Sequence, residues 1–316
     1  MSRFYVWALL SASIIVPAQQ PDKGKAQSSN VMVVAIARDT SVYEGGTTSG
    51  TRMKGGTVAV DPLAWLTPSG DWKSIDCDFD RPEACARFDR EYLKKAHIYS
   101  VVSADGRGAV IQIEKMSLTP QDDPDSCFGY GGVGTYSGVP IAYATVAAES
   151  ARPFIAGPSA KRFSEEEAEP IRKAFAESAG EKLGETVERY RTAGEEKIDP
   201  ALGLRVYSVQ LEGQELLVVQ RALRDWQRRP EYLASKQDFH LDSVFAVGSM
   251  SHGHFNLLYW QRMEDGNQQL LGVIHLKNGK DFIVETVSDP ETQFFRIYGI
   301  RDGKVSLVFE GGGGGC

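Results

Sequence analysis

The sequence LLGVIHLKNGKDFIVETV, residues 270–287, contains the pattern that decides the fold. Two short runs rich in β-branched and aromatic residues, 270–276 and 282–287, flank the dipeptide Asn278-Gly279. Asparagine and glycine accept the positive φ angles of the tight turns that join antiparallel strands. The stretch therefore predicts a β-hairpin.

The same pattern continues on both sides of this hairpin. Further strands are predicted at 244–248, 255–261, 294–300 and 305–309. The turns between them are His252-Gly253, Asp265-Gly266, Asp289-Pro290 and Asp302-Gly303. Residues 244–309 therefore predict a β-meander.

Earlier parts of the chain show the same signals. Residues 31–37 form a continuous apolar run, which is typical of a buried strand. Hairpins are predicted around Asp105-Gly106, from 97 to 114, and around Glu212-Gly213, from 204 to 220. The fold class is therefore predicted as mainly β, with α+β as the second choice. Repetition of similar hairpins also fits the blades of a β-propeller, although any hairpin selects such residues.

One amphipathic helix is predicted near residues 164–180. Ser164 and Glu167 have the spacing of a capping box, and Gly180 marks the end of the apolar stripe. Pro170 lies beyond the first turn, where it should kink the helix or reset its start.

The N-terminus has the features of a secretory signal peptide. Arg3 precedes an uncharged run from residue 4 to residue 16, and Val16-Pro17-Ala18 supplies small residues for cleavage. This run is shorter than the roughly 20 apolar residues that cross a bilayer. We therefore expect a signal peptide at 1–18, export to the periplasm or the extracellular space, and no integral membrane segment in the mature chain.

The remaining chain is predicted to have four regions. A polar linker at 19–30 leads into an N-terminal β region at 31–160, a helical connector at 161–200 and a C-terminal β-meander region at 201–316. The pattern is compatible both with one core shared by the two β regions and with two separate cores.

All four cysteines lie after the predicted cleavage site, where an oxidising compartment allows disulfides. Cys77 with Cys85 is the favoured pair, since Pro82 lies in the short loop between them, and Cys127 would then pair with Cys316. A zinc site is the alternative, but no C-x-x-C occurs and the spacing fits no zinc finger.

Charge and motifs exclude several classes of protein. The formal net charge is −7 and no cluster of lysine and arginine occurs, which argues against nucleic acid as a partner. Residues 129–134 match G-x-G-x-x-G, but neither a preceding strand nor a following helix is predicted. A glycine-rich turn is expected there, and no cofactor is predicted.

His252 and His254 are the candidate metal ligands. In an extended segment, alternate residues share one face, so the two imidazoles could bind zinc or copper together. His240, His275 and Met250 are further candidates. The alternative is that both histidines are simply solvated in a turn around Gly253.

Other clusters favour structural interpretations. The acidic runs at 76–80 and 122–125 could hold calcium, but exposed loops are the preferred explanation for both. Four aromatic residues could line a carbohydrate or peptide surface, with core packing as the preferred alternative for the last two: Trp226, Tyr232, Tyr259 and Trp260.

Residues 243–260 resemble the hairpin of FG-GAP or VCBS-type β repeats. Those repeats carry aspartate and asparagine in a calcium loop, where this chain has Ser-Met-Ser-His-Gly-His at 249–254. The resemblance therefore implies a strand pair without a calcium site. The chain as a whole resembles uncharacterised bacterial secreted proteins with a C-terminal β-meander, which implies no activity.

The sequence predicts a non-catalytic secreted or periplasmic protein that binds a protein or glycan ligand or acts as a scaffold. Many hairpin signals and no assembled catalytic motif support this prediction. The alternatives are a secreted hydrolase or metal-dependent enzyme whose site is assembled from distant residues, and a propeller-type carbohydrate-binding protein.

Overall fold

The structure is a computed structural model of the chain. It describes residues 32–39, 57–66, 71–74, 98–102, 108–116, 132–138, 145–149, 160–189, 199–222, 239–264, 266–275, 279–288 and 292–315. The predicted signal peptide, the polar linker and the four cysteines lie outside these residues. The disulfide pairing therefore stays a prediction.

The described residues are mostly antiparallel strand, which confirms the predicted fold class. The first strands are β1 Met32–Asp39, β2 Thr57–Leu66, β3 Trp72–Ser74, β4 Ile98–Val102, β5 Gly108–Met116, β6 Gly132–Gly138 and β7 Thr145–Glu149. The next are β8 Ala160–Arg162, β9 Val187–Arg189, β10 Arg205–Leu211, β11 Gln214–Arg221, β12 Phe239–Leu241, β13 Ser243–Ser251 and β14 His254–Met263. The last are β15 Asn267–His275, β16 Asp281–Ser288, β17 Thr292–Arg301 and β18 Lys304–Gly315.

These strands form four sheets. The seven-stranded sheet has the order β1-β7-β4-β5-β6-β2-β3, with an additional pairing of β1 with β2. The five-stranded sheet has the order β14-β13-β11-β10-β8, and the four-stranded sheet follows the chain from β15 to β18. Strands β9 and β12 form a separate pair.

The helix α1, Glu165–Ala179, begins as the sequence predicts. The Ser164 hydroxyl accepts a hydrogen bond from the Glu167 backbone N–H, and the Glu167 carboxylate accepts one from the Ser164 N–H. This capping box fixes the start of the helix, so Pro170 does not reset it. The four-residue helix α2, Glu181–Gly184, follows directly.

Four layers pack against one another. Ala64 and Leu66 of the seven-stranded sheet share an apolar cluster with the first face of the four-stranded sheet. The second face of the four-stranded sheet packs on the five-stranded sheet, whose other face is covered by α1. In β11, Leu216 and Val218 face the four-stranded sheet while Leu217 and Val219 face the helix side. Burial on both faces explains why β11 is continuously apolar.

Two local expectations differ from the structure. The predicted meander divides between β14 and β15, because β13 and β14 extend the five-stranded sheet while β15–β18 form a sheet of their own. The expected glycine-rich turn is wrong for residues 132–134, which begin strand β6 between β2 and β5. The described sheets have seven, five, two and four strands, unlike the repeated four-stranded blades of a propeller.

A substitution at Gly248 provides a test of how α1 packs on the five-stranded sheet. A Cβ at this position would overlap the Phe255 ring and lie 2.5 Å from the Asn256 carbonyl oxygen. Phe255 in turn packs edge-on against Phe175 of α1. We expect Gly248→Ala to lower the free energy of unfolding by about 1–3 kcal/mol, measured by urea denaturation.

Gly184→Ala is the matched control for this substitution. A Cβ at Gly184 meets nothing within 4 Å, so its denaturation midpoint should stay close to that of the unchanged protein. Equal midpoints for the two variants would contradict the packing described around Gly248.

No helix among the described residues is both long and apolar enough to cross a membrane.

Candidate functional site

The predicted metal ligands His252 and His254 lie at the tip of the β13–β14 hairpin. Ser251 pairs with His254 across the ladder, while His252 and Gly253 form the connecting turn with φ angles of 51° and 80°. Two consecutive positive φ angles define the tight turn that the sequence predicts. The Ser251 hydroxyl lies 3.0 Å from His252 Nδ1.

This turn removes the extended geometry in which the two histidines would share one face. The two histidines are not alternate residues of one extended strand, because His252 occupies a turn position and His254 begins β14. Within the part of the chain that the structure describes, no group of three or more His, Cys, Asp or Glu side chains could hold a metal ion. A metal site at His252 and His254 stays a prediction.

The other candidate ligands lie in different places. His275 Nδ1 lies 3.0 Å from Asp281 Oδ1, and Asp281 Oδ2 accepts a 2.5 Å hydrogen bond from the Glu212 N–H. His275 therefore belongs to a contact between the four-stranded and five-stranded sheets. His240 lies in β12, and Met250 is exposed on the tip of the β13–β14 hairpin.

The β13–β14 hairpin also exposes apolar side chains. Among the described residues, the large hydrophobic side chains with substantial exposure are Met250 at 37%, Leu258 at 37% and Leu307 at 40%. Leu258 is the extra residue of a β-bulge, since Gly248 pairs with Leu257 and Val247 pairs with Tyr259. A bulge re-aims a side chain relative to the regular alternation of a strand. We refer to residues 250–254 together with Leu258 as the His252 tip.

Two other hairpins end in turns of the same kind but different chemistry. The β10–β11 turn has Glu212 and Gly213 at positive φ, and Glu212 is bonded to Asp281 of the neighbouring sheet. The β17–β18 turn has Asp302 and Gly303 at positive φ. It is flanked by exposed Arg301 and Lys304. Residues 250–254 thus combine exposed Met250 with two imidazoles and carry no acidic, lysine or arginine side chain, unlike the other two turns.

A second candidate site lies between the four-stranded and five-stranded sheets. Glu285 of β16 is fully buried and accepts a 2.5 Å hydrogen bond from the Tyr298 hydroxyl. Glu285 is directly opposite Arg296 of β17, and Arg296 is directly opposite Glu310 of β18. Arg296 Nε donates a 2.6 Å hydrogen bond to Glu310. We call Glu285, Arg296, Tyr298 and Glu310 the Glu285 cluster.

Burial changes the acidity of this cluster. Removal from water raises the pKa of Glu285 to about 8, against the opposing effects of the Tyr298 hydrogen bond and the Arg296 charge. Burial and the neighbouring Glu285 also raise the pKa of Tyr298 above its ordinary value. Glu285 is therefore mainly protonated at neutral pH, which avoids a buried negative charge.

A buried arginine forms a third polar centre. Arg221 is fully buried and donates hydrogen bonds to the backbone oxygens of Asp242, Pro200 and Leu202 and to the Thr186 hydroxyl. Burial lowers the pKa of Arg221 to about 10, so the guanidinium stays charged at neutral pH. These bonds connect the segment after α2, the turn before β10 and the residue before β13. They account for Arg221 as a structural residue.

The buried residues of these two polar centres, Glu285 with Tyr298 and Arg221, are closed to a substrate. Glu285, Tyr298 and Arg221 have no solvent-exposed surface, and their hydrogen bonds go to protein groups. A catalytic acid or base must reach the proton that it transfers, directly or through one water molecule. The strongly shifted pKa values in the described residues therefore reflect burial between layers.

The aromatic candidates divide in a similar way. Trp260 stacks on Phe175 of α1 with ring centroids 6.0 Å apart, and Tyr259 packs edge-on against Tyr298 at 4.8 Å. Core packing, the preferred prediction for this pair, is confirmed. Trp226, Tyr232 and the acidic runs at 76–80 and 122–125 lie outside the residues that the structure describes.

Sequence reasoning missed both buried polar centres. The signal was present, because Glu285 interrupts the apolar run of β16, and Arg221 follows the apolar run of β11 after Gln220. A charged residue within a strand that is buried on both faces requires partners. The identity of those partners depends on strand pairing, which the local pattern does not specify.

No family model, curated protein or solved structure matches this chain.

Proposed function

We propose that this chain is a non-catalytic binding protein that is exported to the periplasm or the extracellular space. It contacts a protein partner through the His252 tip. The observation that carries the proposal is the chemistry of this tip. Met250 is exposed at the end of the hairpin that carries two histidines, and Leu258 is exposed at the bulge further along β14, whereas the comparable β17–β18 turn is charged.

The layers behind the tip support a binding role. Strand β14 packs against α1 through Phe255 and Trp260, so the hairpin rests on a buried base. A rigid base lowers the conformational entropy that binding would otherwise cost. Methionine adapts its shape to different apolar surfaces, which favours contact with protein side chains.

The chemistry of the tip also indicates the kind of partner. Apolar groups at the centre of a contact gain most when the partner surface is apolar and excludes water. We therefore expect an apolar patch on the partner, surrounded by groups that hydrogen-bond with the imidazoles. Asn256 and Ser251 are exposed next to the tip and supply further polar contacts.

Selection of peptides from a displayed random library on the full-length protein tests this proposal. We expect peptides whose affinity falls at least tenfold in the Met250→Ser, Leu258→Ser double variant, measured by calorimetry. A tenfold loss corresponds to about 1.4 kcal/mol of binding free energy. Leu307→Ser is the matched control, since Leu307 is equally exposed but lies on β18.

Three results would count against the proposal. Selected peptides that bind the double variant and the unchanged protein equally well would remove the His252 tip from the contact. Equal losses in the control would indicate a nonspecific apolar effect. Turnover of ester, peptide or glycoside substrates that one polar substitution abolishes would favour the hydrolase alternative.

A further inference from the structure

We propose that Arg296 exchanges its carboxylate partner when Glu285 loses its proton. Arg296 then breaks its bond with Glu310, which lies at the protein surface, and pairs with Glu285. The proposal concerns the Glu285 cluster and does not depend on the proposed binding function.

The arrangement of the strands carries this inference. Glu285, Arg296 and Glu310 are cross-strand neighbours on β16, β17 and β18, so one guanidinium lies between two carboxyl groups. Side chains directly opposite each other on one face of a sheet have Cβ atoms about 5 Å apart. Arg296 can therefore reach either carboxyl group by rotating its side chain, without movement of the backbone.

The hydrogen bonds show which partner Arg296 has in the present state. Arg296 Nε lies 2.6 Å from Glu310, whose side chain is 48% exposed. Two buried atoms of the cluster have no hydrogen-bond partner, namely Arg296 Nη1 and Glu285 Oε1. One is a donor and the other an acceptor once Glu285 is ionised. A direct bond between them would satisfy both groups.

The surroundings of Glu285 make the exchange depend on its proton. Three strands carry the charged or titratable groups that interact with Glu285. These groups are Arg296 and Tyr298 on β17, Glu310 on β18 and Tyr259 on β14. The opposing residue on β15 is Leu270, which offers no charge. Arg296 is the one cation of this group, so it is the partner that an ionised Glu285 would attract. A buried carboxylate without a cation is costly, whereas Glu310 can be solvated alone.

The benefit of the exchange follows from this difference in solvation. In the protonated state Arg296 gains a charge-assisted bond with Glu310, which solvent partly screens. After ionisation of Glu285, the same guanidinium neutralises a charge that water cannot reach. The exchange would leave Glu310 as an additional free negative charge on the outer strand β18.

The test uses the full-length protein with isotope-labelled arginine and glutamate. The Arg296 Nε–H signal is assigned by its loss in Arg296→Lys and followed by NMR from pH 6 to pH 10, together with the side-chain carboxyl carbon of Glu285. We expect the arginine signal to shift with the same midpoint as the Glu285 carboxyl group, near pH 8. Glu285→Gln should hold the arginine signal at its low-pH position throughout.

Tyr298→Phe is a second test variant. Its expected effect is a shift of both titration midpoints, which a purely structural role of Tyr298 would not produce. The Tyr298 hydroxyl lowers the pKa of Glu285 by bonding to its ionised form, so its removal should move both midpoints to higher pH. An arginine signal that stays constant while Glu285 titrates would overturn the proposal. So would the same shift in Glu285→Gln, because another group would then be responsible.

Discussion

Replacing Arg221 by methionine is expected to lower the free energy of unfolding by about 3–5 kcal/mol. Methionine fills a similar volume but donates no hydrogen bond, so four acceptors lose their partner: the backbone oxygens of Asp242, Pro200 and Leu202 and the Thr186 hydroxyl. The bonds to the Asp242 oxygen and the Thr186 hydroxyl are buried, whereas those to Pro200 and Leu202 are partly buried. Each buried acceptor without a partner costs about 1–3 kcal/mol, and the losses overlap. Chemical denaturation followed by tryptophan fluorescence measures the change.

Arg301→Met is the control for this prediction. Arg301 is exposed beside the β17–β18 turn, so its loss should change the free energy of unfolding by no more than about 0.5 kcal/mol. Arg221→Lys separates charge from geometry, because an ammonium keeps the charge but lacks the planar fork that reaches several acceptors. It should fall between the methionine variant and the unchanged protein. Full stability of Arg221→Met would show that the four bonds contribute little.

Replacing Glu285 by glutamine is expected to remove a large part of the pH dependence of stability. The folded-state pKa of Glu285 is about 8, compared with 4.5 for the free side chain. Between these values the folded protein holds a proton that the unfolded chain has released. The contribution of Glu285 is therefore fully present below pH 4.5 and is lost as the pH rises through 8. The loss is on the order of 3–5 kcal/mol.

The Glu285→Gln variant should accordingly be less sensitive to alkaline pH. Its amide cannot ionise and can still accept a hydrogen bond from Tyr298. Denaturation midpoints of both proteins at intervals from pH 5 to pH 9 should diverge, with the variant becoming the more stable one at the alkaline end. Glu177→Gln, on the exposed side of α1, should follow the unchanged protein. Parallel curves for Glu285→Gln and the unchanged protein would show that Glu285 ionises at the same pH in both states.

The two large predictions concern residues that the sequence singles out only weakly. Glu285 lies within the apolar part of β16 and Arg221 lies just after the apolar part of β11, and a charged residue in such a buried strand needs partners. Tyr298 becomes the hydrogen-bond partner of Glu285, and Arg296 its cross-strand neighbour, because β17 pairs with β16. The partners of Arg221 come from segments on both sides of β10 and β11, which no local rule brings together.

Strand β2 shows the same limit within the fold. Its sequence contains Pro62, which argues against an interior strand because proline cannot donate to the ladder. The structure accommodates Pro62 beside a bulge, where Val34 pairs with Ala64 and Ala35 pairs with Pro62. On its other edge, β2 pairs with β6 up to Val60 and with β3 from Ala64 onward. Pro62 therefore lies between the two pairings and has no partner on this edge. The partners on both edges decide that this segment is a strand.

The sequence by itself determined the strands of the hairpins, their turns and the start of α1. These features depend on neighbours a few residues apart: the positive φ angles at His252-Gly253 and Asp302-Gly303, and the reciprocal bonds of Ser164 and Glu167. Only the tertiary structure decided that β14 and β15 belong to different sheets and that Glu285 lies between layers. Those outcomes depend on which apolar faces cover each other, and the free energy of that burial comes from residues far apart in the chain.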